Sequence, residues 1–121
     1  MQAHDYQKKA ARTLVADPGF PLRGKDAMTV WNAMGLAGEA GEVSELVKKG
    51  IFHQHGIDSA LLRKEIGDVL WYCAALCTTL GLSLDEIMQE NIDKLAKRYP
   101  QGFSATDSKK RTDVKQTPSN H

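Results

Sequence analysis

Apolar side chains recur at steps of three and four along most of the chain, and no stretch alternates with period two, so the pattern predicts helices and no strands. Tyr6, Ala10 and Leu14 give a weak stripe over residues 3–16 that stops at the turn signal Asp17-Pro18-Gly19. Segment 17–25 carries two prolines and two glycines and reads as a loop. A second helix is expected from Asp26 to Lys49, with Lys48 and Lys49 suiting the negative end of its dipole and Gly50 as the stop. Gly35, Gly38 and Gly41 each cost this helix roughly 1 kcal/mol relative to alanine. Such a cost implies close approach by a partner helix or ligand, against the rival reading of a break in the helix.

Asp58 or Ser59 can cap a third helix that runs to Leu80, with Gly81 as its stop. Its stripe of Leu62, Ile66, Val69, Cys73, Leu76 and Leu80 is expected to face the core. Ser83 with Glu86 forms a capping-box signature for a fourth helix, in which Leu84, Ile87, Met88, Ile92 and Leu95 keep the helical period. That helix should end before Pro100. From Ser104 onward apolar periodicity is lost, which predicts a flexible, solvated tail. The pattern thus predicts an all-α protein: a four-helix bundle over residues 1–103 and a tail over 104–121. With so few large apolar residues, a second chain is expected to complete the core.

Composition narrows the function classes. The 121 residues suffice for one domain, and 41% apolar with 26% charged residues argues against general disorder. A net charge of +1 gives no electrostatic case for a nucleic-acid or membrane surface, so any phosphate chemistry must be local. The start M-Q-A-H-D-Y-Q-K-K lacks a secretory signal, and the apolar run Val69–Cys77 is too short to span a bilayer. A cytoplasmic location is expected. Cys73 and Cys77 are four apart on one helical face, where disulfide geometry is poor, and no zinc spacing exists, so reduced core thiols are expected.

The acidic residues carry the chemistry. Glu39 and Glu42 project together from neighbouring turns of the second helix, and Glu65 and Asp68 do the same on the third, each pair at the margin of an apolar face. If these helices pack together, carboxylates about 4 Å apart repel by roughly 4 kcal/mol at an effective dielectric near 20. A divalent cation resolves that conflict, and an oxygen-only ligand set suits Mg²⁺ or Mn²⁺. Spacing alone leaves open that the acids are solvated surface charges. Glu45 continues the series but is left outside the ligand set.

The segments G-L-A-G-E-A-G-E-V-S-E and E-I-G-D-V-L-W-Y together resemble the E-x-x-E, spacer, E-x-x-D signature of MazG-like nucleotide pyrophosphohydrolases. N-I-D-K-L-A-K-R-Y-P-Q-G-F is similar to the ending of that family, and the likeness covers roughly Thr29 to Phe103. The resemblance implies an all-α, oligomeric enzyme, a homodimer or homotetramer, that converts nucleoside triphosphates to monophosphates and pyrophosphate. Family members include house-cleaning enzymes that remove non-standard nucleotides, and dimeric dUTPases are related. Carried over residue by residue, Glu39, Glu42, Glu65 and Asp68 would bind Mg²⁺, with Glu42 also accepting the proton of the attacking water.

Asn91, Lys94 and Arg98 share a stripe on the fourth helix, where the two cations can meet phosphate oxygens and Asn91 needs a hydrogen-bond partner, against the reading of an Asn that ties helices together and two solvated cations. Tyr72 follows Asp68 on its stripe and can stack on a base or bond a sugar, against the reading of a core aromatic. Trp31, Trp71 and Phe103 are looser candidates, and His53 and His55 lie in a lysine-flanked loop open to either substrate contact or plain exposure. Two rival functions remain at this point. One is a non-catalytic, nucleotide-sensing helical module of the same shape. The other, a carboxylate-bridged redox site, lacks the E-x-x-H pairs it would need.

Overall fold

A computed structural model describes residues 1–15 and 24–114, and among these every regular element is helical. Helix α1 spans Ala3–Ala10 and tightens into a 3₁₀ turn at Ala11–Thr13; α2 spans Gly24–Phe52, α3 Ser59–Leu80, α4 Leu84–Arg98 and α5 Ala105–Lys110. The expected all-α class is therefore the observed one, with the four expected helices present and a short fifth added. Most of the expected loop lies outside the described residues, though Gly24 and Lys25, assigned to it, open α2. The helices fall into two compact units, Met1–Leu84 and Asp85–His121. No single described helix is long and apolar enough to cross a membrane.

In the first unit, α3 packs against both α2 and α1. Asp58 caps α3 by accepting a hydrogen bond from the Leu61 amide at 3.0 Å, and Gly81 ends it in the left-handed conformation at φ 68. Helix α2 is unbroken across its three expected close-approach glycines. Only Gly35 meets a neighbour, the ring of Tyr72; among described atoms, the space beside Gly38 and Gly41 is open. The expectation of close approach holds for one of the three.

Gly50 does not stop α2, which runs on to Phe52. It is buried where the chain folds back: its carbonyl accepts from the Gly56 amide at 3.1 Å, and an added Cβ would come within 2.8 Å of Ile57 Cγ1. Its small size serves packing at this turn.

Among the described residues, Ala27, Met28, Ala74, Ala75 and Cys77 are the buried apolar ones, while Ile66 and Leu80 of the expected α3 stripe stay exposed. The innermost face of α3 is shifted to its small residues because small side chains let α1 and α2 come close. Asn32, 1% exposed, is the largest fully buried side chain among the described residues and donates to Thr79 Oγ1 at 3.3 Å, a polar tie between α2 and α3. On the other flank, Gln7 donates to Leu82 O at 3.1 Å and accepts from the Leu84 amide at 3.0 Å, and Trp71 donates to Thr13 Oγ1 at 2.9 Å.

In the second unit, residues 105–110 are helical, a short element that the apolar pattern of the sequence does not predict. Polar contacts, invisible to a search for apolar period, order this segment. Ser104 caps α5 by accepting from the Asp107 amide at 3.0 Å, and Thr112 donates to Lys97 O at 3.0 Å.

Candidate functional site

Packing of α2 on α3 brings Glu39, Glu65 and Asp68 together: one carboxylate oxygen from each lies within 4.8 Å of the others. Glu39 and Glu65 are half-buried and Asp68 is exposed. Glu42 is exposed one turn along α2 and falls outside this closest group, although its charge still acts on Glu39. The proton on Glu39 is held above the ordinary glutamate range, first by a hydrogen bond to Glu65, then by partial desolvation and by the negative charges of Asp68, Glu65 and Glu42. Three converging carboxylate oxygens are a donor set that could hold a hard divalent cation.

This raised value has a consequence for stability. Below the ordinary glutamate range the folded and unfolded chains are both protonated at Glu39, and the cluster costs little. Above the raised value both are ionised, and the folded state alone bears the repulsion. Stability of the metal-free protein is therefore expected to decline as pH rises through the folded value of Glu39, and the decline should shrink in Glu39→Gln. Thermal unfolding in chelator from about pH 4 to about pH 7 checks this; a flat profile in both proteins would contradict it.

Glu45 takes no part in the cluster. It pairs with Lys48 at 3.1 Å and Lys49 at 3.4 Å, and the Lys48 hydrogen bond leads the effects that hold its carboxyl below the usual range. Such exposed pairs on one helix contribute little to stability.

Tyr72, one turn beyond Asp68, is half-buried, with its ring edge-on to Trp71 at 5.0 Å and against Gly35. Tyr6 of α1 stood in the sequence only as part of a weak apolar stripe. Its hydroxyl is pushed up in pKa by burial, then by the charges of Asp68 and Cys73, so a residue of α1 feels the charge of Asp68 on α3. No spacing rule within α1 could have signalled a neighbour on α3.

The thiols are free, as expected, with Cys77 buried and its pKa pushed up by that burial and by Cys73. His53 and His55 are exposed, with their rings edge-on at 5.8 Å. A groove of about 390 Å³ lined by His4, Gln7, Lys8, Thr78 and Ser83 contains none of the acidic residues.

Within the second unit, Asn91 and Lys94 are exposed on α4. Arg98 is half-buried: Nη2 donates to Ser108 O at 3.3 Å and Ser108 Oγ at 3.0 Å, and the guanidinium lies 5.0 Å from the Tyr99 ring centre. Tyr99 in turn packs on Phe103 at 5.2 Å. Arg98 thus has structural partners in addition to any role with phosphate.

Comparison with known proteins bears on this arrangement. Gene 37 protein of Mycobacterium phage L5 is 41% identical over 75 residues, a match that covers 57% of this chain and 64% of that protein, just under two thirds of its length. No solved structure matches the chain significantly. The family described as the MazG nucleotide pyrophosphohydrolase domain matches residues 31–103, a segment that includes Glu39, Glu42, Glu65, Asp68 and the whole of α4. On that match, which covers more than half of its length, the chain belongs to the MazG nucleotide pyrophosphohydrolase domain family.

Proposed function

We propose that this protein hydrolyses a nucleoside or deoxynucleoside triphosphate to the monophosphate and pyrophosphate, with house-cleaning of non-standard nucleotides as its role. The observation that carries this reading is the convergence of the Glu39, Glu65 and Asp68 oxygens within 4.8 Å in a chain of this family. These three residues and Glu42 would hold Mg²⁺, for which Mn²⁺ can substitute. Bound there, the metal supplies neutralisation of phosphate charge and a more acidic water.

The chain's own groups account for the rest. Glu42, exposed beside the cluster, accepts the proton of the water that attacks the triphosphate, and the α–β anhydride bond breaks with pyrophosphate as the leaving group. Lys94 and Arg98 bind phosphate oxygens, Asn91 positions the substrate by hydrogen bonding, and Tyr72 contacts the base or sugar. The working form is a homodimer or homotetramer in the cytoplasm. Apolar side chains left open on single helices support assembly: Leu70 on α3 is 50% exposed, and Met88 and Ile92 on α4 are 52% and 59% exposed.

A panel of canonical and modified nucleotides incubated with the pure protein and Mg²⁺, with the products separated, tests the reaction. Pyrophosphate is expected from at least one nucleotide and is expected to be lost in Glu42→Gln. Nucleotide binding without metal-dependent turnover of any substrate would overturn the proposal.

A further inference from the structure

Two arginines of the second unit converge on one carboxylate. Arg98 Nε lies 3.9 Å and Arg111 Nε 3.5 Å from Asp113 Oδ1, and the Asp113 side chain is 1% exposed. Neither approach is a hydrogen bond, because Arg98 Nε and Asp113 Oδ1 are both buried without a hydrogen-bond partner. Two guanidinium charges face one carboxylate charge, and the directional bonding of Arg98 Nε and Asp113 Oδ1 is unmet. A buried charged atom that has lost water without gaining a hydrogen bond is unfavourable, so this carboxylate fills the place poorly.

The local backbone builds the place deliberately. Arg111 ends α5 in the left-handed conformation at φ 50, its amide bonding to Asp107 O at 3.2 Å. The next residue, Thr112, is tied to Lys97 O, which returns the chain to the end of α4 and carries Asp113 to Arg98. Arg98 is steadied through Nη2 by Ser108, which leaves its Nε edge turned to the carboxylate. The Arg111 side chain is 51% exposed, so an anion can approach from its side. Paired guanidinium forks match the several oxygens of a phosphate chain better than one carboxylate oxygen held outside hydrogen-bond geometry.

We propose that Arg98 and Arg111 form a binding site for the phosphate chain of a nucleotide, and that Asp113 is an internal anion that occupies this site until phosphate displaces it. This rests on the reading of the protein as a triphosphate hydrolase and goes beyond it by assigning Arg111 and a displaceable carboxylate. A phosphate chain carries several negative charges where Asp113 carries one, and the released carboxylate regains its hydration.

Calorimetric titration of the full chain with inorganic tripolyphosphate, in chelator, tests the proposal. Asp113→Asn is expected to bind about tenfold tighter than the unaltered protein, and Arg98→Gln and Arg111→Gly about tenfold weaker. Arg111→Gly deletes the guanidinium while suiting the left-handed backbone, so its loss of binding does not reflect strain. An Asp113→Asn protein that keeps its helical circular dichroism but binds no tighter would overturn the proposal. So would an Arg111→Gly protein that binds as the unaltered protein does. Should Asp113→Asn lose helicity, the Arg111→Gly result decides by itself. Turnover measured alongside separates the two readings: turnover without Arg111-dependent binding overturns this inference alone, and Arg111-dependent binding without turnover overturns only the hydrolase reading.

Discussion

Glu65→Gln is expected to abolish metal-dependent pyrophosphate release while raising the thermal stability of the metal-free protein. Both effects come from one carboxylate. Glu65 is the hydrogen-bond partner that does most to hold the proton on Glu39, and it contributes one of three clustered oxygens. Glutamine keeps the size and a hydrogen-bonding amide, so packing of α3 on α2 is preserved while one negative charge is removed. Without metal, less repulsion remains and the unfolding temperature should rise at neutral pH. With metal, a charged ligand is missing, and a rate loss of more than ~100-fold, about 2.7 kcal/mol in the barrier, is expected. The stabilisation that Mg²⁺ confers on the unaltered protein should shrink in the variant. Activity within a few fold of the unaltered protein would remove Glu65 from the site, and a lower metal-free unfolding temperature would show that its role is structural.

Gly35→Ala is expected to destabilise the protein even though alanine favours a helix by about 1 kcal/mol. The added Cβ would overlap the Tyr72 ring at Cε1 and Cζ and lie 2.8 Å from Cδ1. Edge-on contact with Trp71 limits the ring's freedom to withdraw. Overpacking of this kind costs about 1–3 kcal/mol, so the net loss should be up to about 2 kcal/mol, several degrees in the unfolding temperature of a small domain. The same substitution in a Tyr72→Ala background should be neutral or stabilising by up to about 1 kcal/mol, because the obstruction is gone and the helix preference remains. Chemical denaturation of the four proteins measures this coupling. A loss of equal size in both backgrounds would show that Gly35 serves something other than room for Tyr72. If Tyr72 contacts the nucleotide, Gly35→Ala should also raise KM more than it lowers kcat.

Much of the local architecture was legible in the residues. The cap of α3, which falls on Asp58 of the two candidates Asp58 and Ser59, and its Gly81 stop are legible because capping depends on side chains within one turn of the helix end. The short helix α5 has a local cap of the same kind at Ser104 but no apolar period to mark it. Its order comes from Ser104, from Arg98 and from Thr112 reaching Lys97, and such contacts leave no apolar period. At Gly50 a stop was expected, but a contact from Ile57 across the turn decided its use. Of the four acids chosen by spacing, three converge to within 4.8 Å, while Glu42 stays at the margin.

The sequence by itself determined the helical class, most helix boundaries, the two acidic pairs and the MazG family signature, because each depends on residues within a few turns of one another or on a pattern read linearly. Only the tertiary structure decided which residues meet across helices. It set Asn32 against Thr79, made Gly35 the single one of three glycines used for close approach, and brought Tyr6 into the field of Asp68. It also drew Arg98, Arg111 and Asp113 into one cluster. Period along a helix fixes a side chain's direction about its own axis, whereas the partner it meets depends on the register and crossing of a second element. Those are set by packing, to which small residues such as Ala74 and Ala75 contribute as much as the large apolar ones that make a stripe visible.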